Sequence, residues 1–172
     1  GLTSYFIPEK YGGGGADVIT HMLDSEEIDW GCAGVGTILG GSSLCTTPIM
    51  VGGNEDQKAI YLSRFCDTDK PTLGAFALTE PSAGSDAANL ITEARRDGRS
   101  YVINGYKCFI TNGGIADLYI VFATTDISGG AQGITAFIVD KDTPGIVPGN
   151  KEKKMGIRAS HTATLAFEDV RV

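Results

Sequence analysis

The chain has 172 residues, 42% of them apolar and 20% charged, which is the make-up of a folded protein and not of a disordered one. Its 14 Lys and Arg against 21 Asp and Glu leave a net charge of −7. That balance argues against a nucleic-acid backbone or an anionic membrane surface as partner, because both need a basic face. From the N-terminus, Asp17 reads as the N-cap of a helix with Val18, Met22 and Leu23 on one face, running to about Trp30. A second helical stretch fits Ala33 to Leu44 and carries Gly34, Gly36, Gly40 and Gly41. Each internal glycine costs up to ~1 kcal/mol against alanine. Four of them point to close approach by another helix or by a ligand. Thr47-Pro48 reads as an N-cap with proline at the first helical position, and Gly52-Gly53 as the end of that short segment. Asn54 and Gln57 form a capping-box pattern. The helix behind it is expected to bury Ile60, Tyr61 and Phe65 and to leave Lys58 and Arg64 in solvent.

The pattern changes over residues 67–73. Beyond them, strands are expected over Gly74–Leu78, Asn89–Arg96 and Tyr101–Asn104. Further strands are expected over Tyr106–Thr111, Leu118–Thr124, Ile134–Val139 and Thr164–Phe167. Asp97-Gly98 and Asn104-Gly105 read as turns between them. Short strands at close spacing, with no helical pattern between them, indicate an α+β chain: a helical segment, then an antiparallel β-barrel or sandwich. No run approaches the ~20 consecutive apolar residues of a membrane span, and no basic stretch precedes an apolar one at the start. Cys32, Cys45, Cys66 and Cys108 include no C-x-x-C pair. With only His21 and His161 to help, no metal site is expected, and the thiols read as buried and reduced.

Tyr11-Gly12-Gly13-Gly14-Gly15 lacks the Lys-Ser/Thr of a phosphate loop. Gly34-Val35-Gly36 has Leu39 where a dinucleotide fingerprint needs glycine. Two other segments are more informative. Phe76-Ala77-Leu78-Thr79-Glu80-Pro81-Ser82-Ala83-Gly84-Ser85-Asp86 runs an apolar strand into a loop of hydroxyls and bare backbone N–H groups, which suits a polar or heteroaromatic ligand. Phe109-Ile110-Thr111-Asn112-Gly113-Gly114 places an aromatic and an aliphatic residue before a hydroxyl donor, as a flat-ring pocket would.

Together these two segments resemble the flavin-binding signatures of the acyl-CoA dehydrogenase family. The order of Ile7–Gly13, Gly53–Lys58, Lys154–Ser160 and Phe167–Val170 agrees with it, so the resemblance covers nearly the whole chain. It implies that residues 1–72 are the later part of an N-terminal helical domain and 73–172 a middle β-barrel domain. A C-terminal helical domain would be absent, with this chain a segment of one roughly twice as long.

The resemblance also implies FAD as cofactor and α,β-dehydrogenation of acyl-CoA thioesters. Phe76, Leu78 and Thr79 match positions that meet the flavin ring edge. Gly84 and Ser85 match positions near the FAD pyrophosphate, and Ser85 also one near the pantetheine arm of the substrate. Thr111 matches the donor beside flavin N5, with Ile110 before it. Phe109 stands where many relatives carry Trp against the ring. Gly36, Thr37 and Gly40 fall on the helix that closes the acyl pocket, which leads to the expectation of a deep or wide pocket for medium, longer or branched acyl groups. The family's catalytic base is a glutamate of the C-terminal domain, so no catalytic residue is assigned here, and Glu80 is expected to be structural.

Electron-transferring flavoprotein is the implied acceptor, a tetramer or dimer the implied assembly, and the mitochondrial matrix or bacterial cytoplasm the implied location. Two other readings stay open: an acyl-CoA oxidase-like or nitroalkane oxidase-like flavoenzyme that reoxidises with dioxygen, and a non-catalytic short protein that binds flavin or a partner. The basic group Lys151, Lys153, Lys154 and Arg158 reads as a solvated turn or a phosphate contact.

Overall fold

The computed structural model describes residues 2–172, and Gly1 lies outside them. The chain opens on a short 3-10 turn, Glu9–Tyr11, closed by Gly12 at φ 93. Helix α1, Val18–Gly52, is capped by Asp17, whose carboxylate accepts from the Thr20 N–H at 2.8 Å. Its backbone is extended at Cys32 (φ −163, ψ 105), so it is two helices joined at a sharp break, at the gap between the two expected helices. The two halves lie close, because a Cβ on Gly36 would fall 1.7 Å from Asp29 Oδ1. The apolar stripe of the first half points outward: Val18, Met22, Leu23 and Trp30 are exposed, and no described element covers them.

Pro48 does not begin a new helix. The second half of α1 runs through it to Gly52, and the neighbouring hydroxyls turn back onto the helix, Thr47 Oγ1 donating to Ser43 O at 2.9 Å. By length and apolarity α1 could cross a membrane. The break at Cys32, the acidic run Asp24, Glu26, Glu27, Asp29, and the seating of the second half on the sheet all give it a different place.

Helix α2, Glu55–Cys66, has the expected capping box: Asn54 Oδ1 accepts from Gln57 N at 2.8 Å, and Gln57 Oε1 accepts from Asn54 N at 2.9 Å. Its buried residues are Leu62 and Phe65, while Ile60 is exposed and Tyr61 half-buried. The expected inward face was therefore displaced by one position along part of the helix.

Seven strands follow: β1 Gly74–Ala77, β2 Glu93–Asp97, β3 Ser100–Thr111, β4 Leu118–Thr124, β5 Ile134–Asp140, β6 Ile146–Lys151 and β7 Thr162–Arg171. They form one sheet in the order β1-β4-β2-β3-β7-β6, with β5 also paired to β4. The sheet is mixed, because β1 runs parallel to β4, Gly74 opposite Leu118, among otherwise largely antiparallel pairs. Asp97-Gly98 makes the expected tight turn, with Gly98 at φ 66. Asn104-Gly105 does not turn. It is a bulge inside the continuous strand β3, and glycine is required there because a Cβ would sit 2.4 Å from Thr92 Oγ1.

Strand β6 is an exposed edge strand whose Pro148 and Gly149 hide any alternation, so no strand is expected there from the pattern of residues. Strand β4 is buried on both faces, which explains its unbroken apolar run. Tyr119, Val121 and Ala123 face the barrel core with Ile103, Ile110, Leu165 and Phe167. Leu118 and Ile120 face the helices, meeting Ile7, Cys45, Ile49, Leu62 and Phe65. Burying each such side chain stabilises by about 1.5–3 kcal/mol, so this seam joins the helical segment firmly to the sheet. Arg64–Asp140 and Lys141–Asp117, both 2.6 Å, close its rim.

Candidate functional site

The two informative segments meet. Strand β1 ends at Ala77, and the chain turns through Glu80-Pro81-Ser82-Ala83, where Glu80 and Ala83 exchange both backbone hydrogen bonds at 3.1 Å. Strand β3 lies alongside, and Cys108 N–H donates to Thr79 O at 2.9 Å. This bond places Thr79 next to Phe109. Phe109 is 67% exposed, and its backbone has φ 56, in the left-handed region that a bulky residue rarely adopts. The cause is the second irregularity of β3, between Lys107 and Ile110. It turns Phe109 outward while Ile110 goes inward.

Ile110 is 2% exposed and packs in the barrel core, so its side chain cannot form the ligand-facing aliphatic wall expected of it; only its backbone is available. Phe76 is half-buried with its ring 4.8 Å from that of Phe122. Leu78 and Thr79 are half-buried, and Gly84 and Ser85 are exposed. A Cβ on Gly84 would meet nothing within 4 Å.

Thr111 closes the other side. The next residue, Asn112, is fully buried at φ 61, and its Nδ2 donates to Gly74 O at 3.0 Å and Ile38 O at 3.4 Å. Asn112 thus ties the end of β3 to the start of β1 and to α1. Gly41 makes that contact possible, since a Cβ there would lie 2.7 Å from Thr111 Cγ2. A cleft of about 390 Å³ opens between Thr111 and α1, lined in part by Thr37, Gly40, Gly41, Leu44 and Thr47. A second cavity of about 270 Å³ shares Thr37, Gly40 and His21 with it and extends to Gly36, Asp29 and Tyr5.

The structure therefore brings Thr79 beside the exposed face of Phe109, and sets Thr111, two residues further along β3, on the cleft with Thr37 and Gly40. Gly36 contributes no free room, because Asp29 fills the space its missing side chain leaves. Gly40 does leave space open.

Two charges are buried beneath this face. Lys107 and Glu80 pair at 2.7 Å with side chains 0% and 1% exposed. Glu80 also accepts from Ile91 N (2.7 Å) and Thr92 N (3.0 Å). Burial alone would raise the Glu80 carboxyl, but these donors and Lys107 outweigh it and hold it below the ordinary glutamate value. Burial pushes the Lys107 ammonium below the lysine range, against the opposing pull of Glu80. Glu80 is thus structural, as expected, and Lys107 is the residue that sequence reasoning missed. Its one signal in the sequence was a lysine inside an expected strand. In the basic group, Lys154 donates to Ser160 O and Thr162 Oγ1, which makes it a loop tie. Among the described residues no cluster could hold a metal.

Among the described residues, the Thr79 N–H and the Thr79 and Thr111 hydroxyls meet no partner within the chain. Unpaired donors near an exposed aromatic residue fit the acceptor-rich edge of a flat heteroaromatic group such as a flavin ring. The fold is a helical unit that closes one side of a curled sheet. The chain belongs to the acyl-CoA dehydrogenase family. Its N-terminal domain model matches residues 1–69 and its middle domain model residues 75–170.

An acyl-CoA dehydrogenase of Bacillus subtilis is 49% identical over 173 residues, covering all of this chain and 45% of the relative. The solved butyryl-CoA dehydrogenase of Megasphaera elsdenii superposes with a TM-score of 0.93 at 48% identity, over all of this chain and 46% of that one. A solved acyl-CoA dehydrogenase complexed with FAD, from Bacillus anthracis, gives 0.89 at 40% identity, over all of this chain and 29% of that one. The chain thus spans less than half the length of these relatives.

Proposed function

We propose that the protein carrying this chain is an FAD-dependent acyl-CoA dehydrogenase that converts acyl-CoA thioesters to trans-2-enoyl-CoA, with electron-transferring flavoprotein as acceptor. The observation that supports it best is that Thr79 lies beside Phe109, through the Cys108 N–H to Thr79 O bond, while Thr111, two residues further along β3, lines the α1 cleft. Bound FAD would supply hydride acceptance at N5. Phe109 would present an apolar face to the ring, Thr111 would offer a hydroxyl donor, and Leu78 and Thr79 would offer backbone donors to its edge. Gly84 leaves the backbone bare for close approach of the pyrophosphate, and Ser85 offers a hydroxyl there and to the pantetheine arm. A pre-placed donor at a site of developing charge is worth roughly 3 kcal/mol in comparable sites. Glu80 is not a base, because both its oxygens are engaged by Lys107, Ile91 and Thr92.

Thr37 and Gly40 line the acyl end. Asp29 fills the room at Gly36, and the Megasphaera elsdenii relative is named for butyryl-CoA. Both favour short acyl groups. The test is anaerobic titration of the purified full-length protein with acyl-CoAs from butyryl to palmitoyl. Bleaching of the flavin band, strongest with the short chains, is expected. No bleaching with any acyl-CoA would overturn the activity, and a palmitoyl preference would overturn the short-chain reading. Reoxidation by dioxygen faster than by electron-transferring flavoprotein would make it an oxidase.

A further inference from the structure

Glu80 and Lys107 are the only charged residues buried among the described residues. A buried ion pair adds little stability over apolar residues of the same volume, so its geometry matters more than its energy. Lys107 Nζ donates to Leu78 O at 2.9 Å as well as to Glu80 Oε1 at 2.7 Å. The adjacent residue of β3, Cys108, donates its N–H to Thr79 O at 2.9 Å. The peptide that joins Leu78 to Thr79 is therefore held by an ammonium at its own carbonyl and by a backbone bond at the next. Its N–H, that of Thr79, meets no acceptor among the described residues.

A charge-assisted hydrogen bond to a carbonyl is stronger than a neutral one, and it polarises the N–H across the same peptide. Glu80 supplies the counter-charge and anchors Lys107 to the backbone of Ile91 and Thr92, so the ammonium cannot swing away. We propose that Lys107 is a positioning residue for the flavin: it fixes and polarises the Leu78–Thr79 peptide, so that Thr79 N–H faces the ring edge as a strengthened donor. This rests on the flavin reading given above. A stronger donor favours the ring as it gains electron density, so Lys107 raises the flavin's reduction potential as well as its affinity.

The test uses the full-length protein and three variants. Lys107→Met removes the ammonium. The double variant Glu80→Gln with Lys107→Met removes both charges, keeps the volume, and decides the question if the single variant does not fold. Val170→Ala, fully buried in the barrel core, is the purely structural control. FAD dissociation is followed by fluorescence quenching, the midpoint potential by equilibration with a reference dye at saturating FAD, and the melting temperature without FAD.

The expected result for Lys107→Met, and for the double variant, is FAD affinity down tenfold or more. Preference for the reduced ring should also fall about tenfold, which is about 30 mV more negative for two electrons. Val170→Ala should lower the melting temperature and leave the potential in place. Wild-type affinity and potential in both Lys107 variants, with only the melting temperature reduced, would overturn the proposal. A wild-type protein that takes up no FAD would overturn the flavin reading itself, a distinct outcome.

Discussion

Adjacent glycines in α1 have opposite reasons to be glycine. Gly41 admits Thr111, and an added Cβ would meet Thr111 Cγ2 at 2.7 Å and Asn112 Nδ2 at 3.0 Å. Gly40 has nothing within 4 Å of the same point. Gly41→Ala should therefore destabilise by about 1–3 kcal/mol through overpacking. Gly40→Ala should stabilise by up to about 1 kcal/mol through helix propensity. Urea titration of the two variants against the parent checks both signs.

The cysteines differ in the same local way. Cys45 is buried in the seam, and desolvation raises its thiol to about 12, whereas Cys32 lies exposed at the helix break. Iodoacetamide at mildly alkaline pH should label Cys32 in the native chain and reach Cys45 only on unfolding, as peptide mass mapping will show. Glycine at these positions was visible in the sequence as a request for close approach, but the approaching atom was not. Asp29 at Gly36 and Thr111 at Gly41 come from packing that spacing does not encode. Ile110 illustrates the same limit. A motif places a residue beside a ligand, but a bulge one position away decides which face it takes.

At the level of the element, local chemistry was legible wherever the partners are neighbours in sequence. The capping box of α2 needs only Asn54 and Gln57, three residues apart, and it forms as read. Asn54→Ala should cost about 0.5–2 kcal/mol, and a Gln57→Ala change on top of it should add less than it does alone, because the two bonds are reciprocal. Thermal melts of the single and double variants measure that coupling.

Elements decided by distant partners were misread. Asn104-Gly105 has the composition of a hairpin turn, but β7 pairs with β3 on both sides of it, and Thr92 packs where a side chain would stand. Pro48 has the composition of a helix start, yet the second half of α1 rests on β1 and continues through it. Strand β6 owes its existence to the exposed edge of β7, which no local pattern could announce.

At the scale of the molecule, the seam between helices and sheet combines an apolar interior with ionic ends, and the two should respond differently to pH. Burial alone would raise the carboxyls of Glu80 and Asp117. Backbone donors and cationic partners (Lys107 for Glu80, Lys141 and Arg64 for Asp117) hold both below their ordinary values of 4.5 and 3.8. A carboxyl depressed in the folded state contributes stability that is full above its unfolded value and is lost as pH falls through its folded value. The contribution of these two carboxyls to the melting temperature should thus be full above about pH 5 and be lost as pH falls below 4.

The two groups differ in solvent access: the side chains of Asp117 and its partner Lys141 are 26% and 51% exposed, whereas Glu80 and Lys107 are sealed. Salt screens exposed charges over about 8–10 Å and buried ones far less. Half-molar salt should therefore shrink the difference between the parent and Asp117→Asn. It should leave the difference between the parent and Glu80→Gln almost unchanged. Melts at pH 7 and pH 4, with and without salt, separate them. Equal salt sensitivity of both variants would mean that the Glu80–Lys107 pair is reached by solvent.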